Sequence, residues 1–427
     1  MLVIAPENSR ELEKVRKLLA ILGQSYQVLF TNLETDLGLG EASLVSLLTY
    51  TDPSSREGKP LFFNDLPVPA YWEPWTMGIT TYIFDGQKRR GNIILRKDIQ
   101  SRTVERVEWL GEGDTVLTVE DYNRYGWRSR QRLLEEDGQT YLEIYYNRNQ
   151  EEVLHHFVKK GYFLYQTKSG RDQLYANEEE LRRALLDKVL SGQEPLICLD
   201  SKVVPLLQEL RKEDLIFCSP QQENLDDLQK QVKQILILNY YAPEDRNTDL
   251  HYVAGLVDPE TMAFQAKALI MTASEEVEGL AYLVESLPEV DFHVAALTNM
   301  GPKLTNLNSF SNLYLHPNCS EERFQELLVS CSLYLDLNQG KEVLAATMRA
   351  IENGQLILGL DTTVHWGAYQ KLPTVLTSGE LLLEKIKEVL QSPEEFTSRI
   401  EEQRDVLQLA RKEDLLTLFN CREEVAT

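Results

Sequence analysis

Residues 292–360 constrain this chain more than any other stretch, because apolar runs and helical patterns alternate there in a fixed order. They read FHVAAL, a loop, NLYLHPN, a helical pattern, LYLDLN, the segment QGKEVLAATMRAIENG and finally QLILGL. Short apolar runs separated by helical periodicity are the signature of parallel strands joined by crossover helices. A helix over 342–352 puts Leu344, Met348 and Ile351 at i, i+4 and i+7, one stripe facing a sheet. Gly354 follows as the glycine that ends this helix before the next strand.

At 427 residues the chain is too long for one core and implies about two or three domains. A hydrophobic fraction of 43% is ordinary for a globular protein, so sizeable cores can form. No apolar run reaches the roughly 18 residues of a membrane-spanning helix. The first 25 residues carry Glu7, Arg10, Glu11, Glu13 and Lys14 and do not make a signal peptide. A cytoplasmic product is therefore expected. The net charge of −23 would repel nucleic acid and anionic lipid, which argues against both as main partners. Five scattered cysteines (Cys198, Cys218, Cys319, Cys331, Cys421) with no CxxC read as buried, reduced thiols. The six histidines lack metal-ligand spacing, and the adjacent His155 and His156 read as structural, so no metal site is expected.

Taken in order, 8–22 is an amphipathic helix with Asn8 or Ser9 as N-cap, 25–32 a strand and 37–50 a second helix. No phosphate-cradling glycine motif follows either apolar run. From about 60 to 175 short alternating runs are separated by turn signals, including Asp85-Gly86 and Asp137-Gly138. This predicts an antiparallel meander of roughly seven or eight strands. Its many aromatics, among them Trp109, Trp127, Tyr145 and Phe163, suit either a β core or a protein-docking sheet. A helix over 177–192 closed by Gly192, then PLICLD, VVPLLQEL and LIFCS, gives β-α-β. The strand AKALIMT opens a second half near 265, and 381–391 and 393–419 form long charged amphipathic helices.

Four separated words, GKPLFFNDLPVPAYWE (58–73), FHVAALTNMGPKL (292–304), LYLDLNQGKE (333–342) and RAIENGQLILGLDTT (349–363), carry a resemblance. The chain resembles the non-catalytic, glycosyltransferase-stabilising (GtfB-like) subunits of the O-GlcNAc transferase that modifies serine-rich-repeat adhesins. The resemblance implies an α/β fold, a GT-B-like pair of Rossmann-like domains with an inserted antiparallel β-meander domain. It divides the chain into 1–59 plus 176–262 (first Rossmann-like domain), 60–175 (meander), 263–392 (second Rossmann-like domain) and 393–427 (helices crossing back to the first). It implies as partners a catalytic glycosyltransferase homologue and the serine-rich-repeat adhesin polypeptide, with the membrane reached only indirectly through an export complex. The rivals are an active retaining GT-B glycosyltransferase and a scaffold of the accessory export machinery.

An active member of this superfamily needs an Arg and a Lys before a Gly for the donor diphosphate, and two glutamates spaced E-x7-E for sugar and ribose. Carboxylates suit the ribose because they accept hydroxyl hydrogen bonds. Aligned on Gly279, the lysine position holds Glu278 and the arginine position falls among Met271, Thr272 and Ala273. Glu275, Glu276 and Glu278 then stand where a diphosphate would bind, and like charges oppose it. Lys341 and Arg349 occupy the glutamate positions and can only donate. Glu342 lies one residue out of register, and with it the later glutamate, Glu352, is too far along. The expectation is a pseudo-enzyme with no catalytic residue and no cofactor. By the rule that ligands of open α/β sheets sit beyond the strand ends, Asn299, Asn338, Gln339, Lys341, Glu342, Asp361, Thr363 and His365 are candidates to line an acceptor cleft.

Overall fold

Residues 1–78, 80–97, 102–167, 170–190, 195–210, 215–239, 243–253, 256 and 264–419 are described by the computed structural model of the chain. It opens with strand β1 (Leu2–Ala5), helix α1 (Arg10–Ile21) and strand β2 (Gln27–Phe30). Ser9 caps α1, its Oγ accepting from Leu12 N at 3.2 Å. The segment expected to be one helix over 37–50 is instead the edge strand β3 (Glu41–Ser43) followed by a single turn, α2 (Ser46–Thr49). The serines decide this. Ser43 N donates to Ser46 Oγ at 2.8 Å and Ser46 N to Ser43 Oγ at 3.1 Å, local bonds that compete with a helical ladder.

Ten antiparallel strands follow, and their order in the sheet is their order in the chain. They are β4 (Trp72–Met77), β5 (Thr80–Asp85), β6 (Lys88–Leu95), β7 (Val104–Leu110), β8 (Val116–Tyr122), β9 (Arg128–Leu134), β10 (Thr140–Tyr146), β11 (Glu152–Phe157), β12 (Tyr162–Tyr165) and β13 (Gln173–Tyr175). The alternating runs of the sequence correspond to β5–β12, so both sheet edges are additional. The edge β4 carries Pro74, which an interior strand would not tolerate. At three residues, β13 is too short to show alternation. On one face Phe63 and Leu66, from the segment before β4, bury themselves with Ile83, Ile93, Val104 and Val107. Gly58 (φ +129°) and Gly126 (φ +86°) dock that segment: a Cβ at Gly58 would lie 2.4 Å from Tyr125 O, and one at Gly126 2.3 Å from Lys59 O. Elsewhere in the sheet Asp121 gathers Arg106, Arg130 and Arg132 at 2.8–3.1 Å.

After the meander come α3 (Glu178–Val189), β14 (Leu196–Cys198), α4 (Val204–Leu210), β15 (Leu215–Ser219), α5 (Asp226–Gln229), β16 (Gln234–Ile237) and β17 (His251–Tyr252). Asn177 caps α3, accepting from Glu180 N at 2.9 Å; Gly192 lies outside the described residues. These strands join β1–β3 in a seven-stranded sheet of order β17-β16-β15-β14-β1-β2-β3, with β1 pairing parallel to both β2 and β14.

The remaining strands are β18 (Lys267–Met271), β19 (Asp291–Ala295), β20 (Leu313–His316), β21 (Leu333–Asp336), β22 (Leu356–Leu360) and β23 (Val375–Leu376). They form a parallel sheet of order β20-β19-β18-β21-β22-β23. Its helices are α6 (Leu280–Ser286), α7 (Pro302–Thr305), α8 (Glu321–Ser330), α9 (Ala346–Glu352), α10 (Gly379–Leu390), α11 (Pro393–Val406) and α12 (Lys412–Leu418). Every residue of β21 and β22 is buried, as expected where helices cover both faces. Ile270, Val294 and Leu358 pack with Leu283 of α6 and Ile386 of α10, whereas Leu269, Tyr334 and Ile357 pack with Phe324 of α8 and Ala350 of α9. Burying each such Leu or Ile contributes about 2 kcal/mol.

Two further expectations are corrected here. The helix read over 342–352 begins at Ala346, because Leu344 (φ +55°) and Ala345 (φ +48°) are left-handed. Gly354, at φ +76°, does end it. The helix read over 393–419 is broken between α11 and α12, where Gln408 takes φ +51°. Gln403 on α11 accepts from Ile357 N at 2.8 Å and donates to Gln355 O at 2.9 Å, tying the helix to β22. Cys198, Cys218, Cys319 and Cys331 are buried; Cys421 lies outside the described residues.

Candidate ligand crevice of the second sheet

Chain order reverses between β18 and β21, the point at which open parallel sheets bind ligands beyond their carboxyl ends. The loops after β18, β21 and β22 meet there, and they bond to one another. Val277 forms an antiparallel bridge with Asn338. Glu278 N donates to Leu337 O at 2.9 Å and Gln339 N to Glu276 O at 3.2 Å. Asn338, 2% exposed, accepts from Thr272 Oγ1 and Gly340 N, both at 2.9 Å, and donates to Lys341 O at 3.0 Å. The loops run close at Gly340, where a Cβ would lie 3.0 Å from Asn338 Oδ1 and 3.2 Å from Ser274 Cβ.

Below this bridge, at the end of β21, lies the buried Asp336. Its Oδ1 is 2.7 Å from His365 Nδ1, its Oδ2 accepts from His365 N at 3.1 Å, and His365 Nε2 is 2.8 Å from Gly340 O. Both ring nitrogens face acceptors, so the imidazolium is favoured. The Asp336 bond raises the His365 pKa to about 9, against the opposing effect of burial. A doubly protonated ring has no lone pair and cannot serve as a general base. Glu342 accepts from Thr347 N at 3.2 Å and Trp366 Nε1 at 2.6 Å, which occupies both carboxylate oxygens. Thr363 donates to Asp336 O at 2.5 Å.

The acidic loop follows the same pattern. Glu278 accepts from Gln339 Nε2 and Glu276 pairs with Lys303. Glu275 receives Lys303 N at 3.3 Å, and its carboxylate lies against Gly301.

The structure thus gathers Glu278, Asn338, Gln339, Lys341, Glu342, Thr363 and His365 around one crevice. Three other residues singled out from sequence sit apart from these bonds. Asn299 is exposed and accepts from Asn318 Nδ2 at 2.7 Å. Asp361 is exposed. Arg349 is buried on α9 and turns to α8, donating to Glu321 at 3.2 Å and Gln325 at 2.9 Å over the Phe324 ring. Sequence reading missed Asp336 and Trp366, and named Thr272 only as a position where an arginine is lacking. A carboxylate ending the apolar strand LYLD is the one signal that pointed to Asp336, because a buried charge needs a partner.

Two parallel α/β sheets with an antiparallel meander between β3 and β14 define a GT-B-like protein, here with a switch-point crevice laced by its own loops. The GftB/GlyA-F C-terminal domain family matches residues 268–403, and the GtfB middle domain family matches residues 72–176. The UDP-N-acetylglucosamine–peptide N-acetylglucosaminyltransferase stabilizing protein GtfB of Streptococcus parasanguinis is 29% identical over 351 residues, covering 77% of this chain and 80% of that protein. Among solved structures, a GtfA/B complex bound to UDP and GlcNAc matches with TM-score 0.63 and 22% identity, covering 98% of this chain and 99% of the other. The accessory secretory protein 1, 2 and 3 structure from Streptococcus pneumoniae matches with TM-score 0.68 and 12% identity, covering 98% of each chain. At these identities the structural matches speak to the fold. The chain is GtfB-like, by the two domains it carries and by a relative matched over most of its length.

Proposed function

We propose that this chain is the non-catalytic stabilising subunit of a protein O-GlcNAc transferase. It binds a catalytic homologue and holds the serine-rich-repeat acceptor polypeptide, while UDP-GlcNAc and the transfer chemistry belong to the partner. The names of its relatives support the assignment. The observation that carries the non-catalytic reading is the pairing of 276–278 with 337–339 across the switch point. A diphosphate entering there would have to break those bonds and approach Glu275, Glu276 and Glu278. Asn299, Gln339, Lys341, Glu342, Asp361 and His365 are the proposed acceptor-facing side chains, with the buried Asn338 and Thr363 holding the loops that carry them. A flexible, nearly uncharged acceptor gives an active site few anchors, and a second subunit that tethers it raises its effective concentration. The proposed place of action is the cytoplasm. Among the described residues no helix is long and apolar enough to cross a membrane.

Calorimetric titration of the isolated chain with UDP-GlcNAc and with a serine-rich acceptor peptide, alongside co-purification with the catalytic homologue, tests this. The expected result is partner and peptide binding without nucleotide binding. Micromolar nucleotide binding with hydrolysis would instead make it an active glycosyltransferase. Partner binding with no peptide binding would reduce it to a scaffold.

A further inference from the structure

The meander holds a cavity of about 610 Å³ that the reading above does not use. Trp72, Trp109, Tyr122 and Trp127 line it, with Arg128 and Arg148 among the polar residues. It opens between the sheet and the segment that Gly58 and Gly126 dock, and Pro67 and Pro69 of that segment form part of its wall.

The polar chemistry of the cavity narrows what can bind. Glu120 is 7% exposed and accepts from Trp109 Nε1 at 2.9 Å, Tyr122 OH at 3.3 Å, Arg128 Nη1 at 2.6 Å and Gln131 Nε2 at 3.1 Å. Trp127 Nε1 donates to Ser55 O at 3.2 Å. The ring donors of Trp109, Tyr122 and Trp127 are thus engaged within the protein, which leaves the faces of these rings as apolar lining beside Trp72. Arg128 is neutralised by Glu120, and Arg148 lies 3.6 Å from Glu57. Both cations lining the cavity are thus compensated, in a chain of net charge −23, which disfavours a phosphate or carboxylate. The strands beneath, β7, β8 and β9, are paired on both sides, so an extended peptide finds no free backbone edge.

We infer that this cavity is a binding site for a neutral sugar ring. The apolar C–H face of a pyranose stacks on the indoles, and its hydroxyls accept from the guanidinium groups while adding no charge. The site goes beyond the subunit function proposed above and stands without it.

The test uses the isolated full chain, titrated with methyl glucoside and with N-acetylglucosamine and read by tryptophan fluorescence and saturation-transfer NMR. UMP serves as the anionic ring control. Saturation transfer to the sugar and a fluorescence change are expected, with UMP silent. Trp72→Ala should weaken sugar binding about tenfold, while Trp72→Phe, which keeps a ring, stays within about threefold of wild type. Arg148→Met, a rim change that leaves the indoles in place, should also weaken it. No transfer to either sugar with wild-type chain, tighter binding of UMP than of sugar, or sugar affinity unchanged in folded Trp72→Ala and Arg148→Met would each overturn the inference. Co-elution with the catalytic homologue is scored separately, so a failed sugar site and a failed subunit assignment are distinguishable.

Discussion

Asp336 and His365 form a clasp at 2.7 Å between the end of β21 and the loop after β22, with the far ring nitrogen of His365 2.8 Å from Gly340 O. The clasp links the floor of the crevice to the loop that closes it. His365→Ala leaves a carboxylate that is 1% exposed without its counter-ion and should cost about 3 kcal/mol in urea unfolding. The pH dependence has a definite sign. The His365 pKa of about 9 lies above its ordinary value near 6.5, so the clasp stabilises fully below about pH 6.5 and weakens as pH rises through 9. The stability gap between wild type and His365→Gln should therefore shrink over that window. A gap that widens would refute the imidazolium assignment.

Gly58 and Gly126 each face the other segment's backbone at distances no side chain tolerates. Gly58→Ala or Gly126→Ala should destabilise the chain by at least about 2 kcal/mol, because positive φ and a steric clash act together. Thermal unfolding measures this, and the same variants should loosen the wall of the meander cavity.

Asp121 balances Arg106, Arg130 and Arg132. Burial raises its pKa, but the guanidinium groups outweigh burial and hold it below the usual value. Its stabilisation is accordingly present above about pH 4 and lost as pH falls below that. Asp121→Asn should cost about 2–3 kcal/mol at pH 7, and the deficit should fade in acid. Equal deficits at pH 7 and in acid would show that packing, not charge, is lost.

Asn312 is buried and donates through Nδ2 to Val284 O, Leu287 O and Val290 O at 3.0–3.3 Å, closing the end of α6. Asn312→Ala removes the side-chain donor from these carbonyls, of which Leu287 O keeps Val290 N, and should cost about 2 kcal/mol. Exchange of the amides in 284–292 should quicken in the variant, whereas amides of the meander should not change.

Arg349→Glu puts a glutamate back where active relatives would be expected to carry one. The side chain belongs to the contact between α9 and α8, and the new carboxylate would meet Glu321. The expected outcome is a loss of about 2 kcal/mol with no gain of UDP-GlcNAc binding. Gain of nucleotide binding would place Arg349 in a donor site after all.

Much of the strand and helix order was legible because burial imposes a period on sequence. β18, β21 and β22 are buried almost throughout and appear as apolar runs, and β5–β12 appear as alternation between turns. Three elements at sheet edges, β3, β4 and β13, were not legible. Pro74 disguised β4, three residues were too few to reveal β13, and serine-to-backbone bonds turned 41–49 away from a helix.

The candidate crevice divides in the same way. The sequence by itself determined its chemistry, with glutamates at 275, 276 and 278 and cations at 341 and 349 where a donor site needs the reverse. Only the tertiary structure decided that 276–278 and 337–339 pair across the switch point, that Asp336 clasps His365, and that Arg349 turns to α8. The reason is range: charge and periodicity are written residue by residue, whereas these bonds join positions as far apart as Glu276 and Gln339 and form only once β18, β21 and β22 lie side by side.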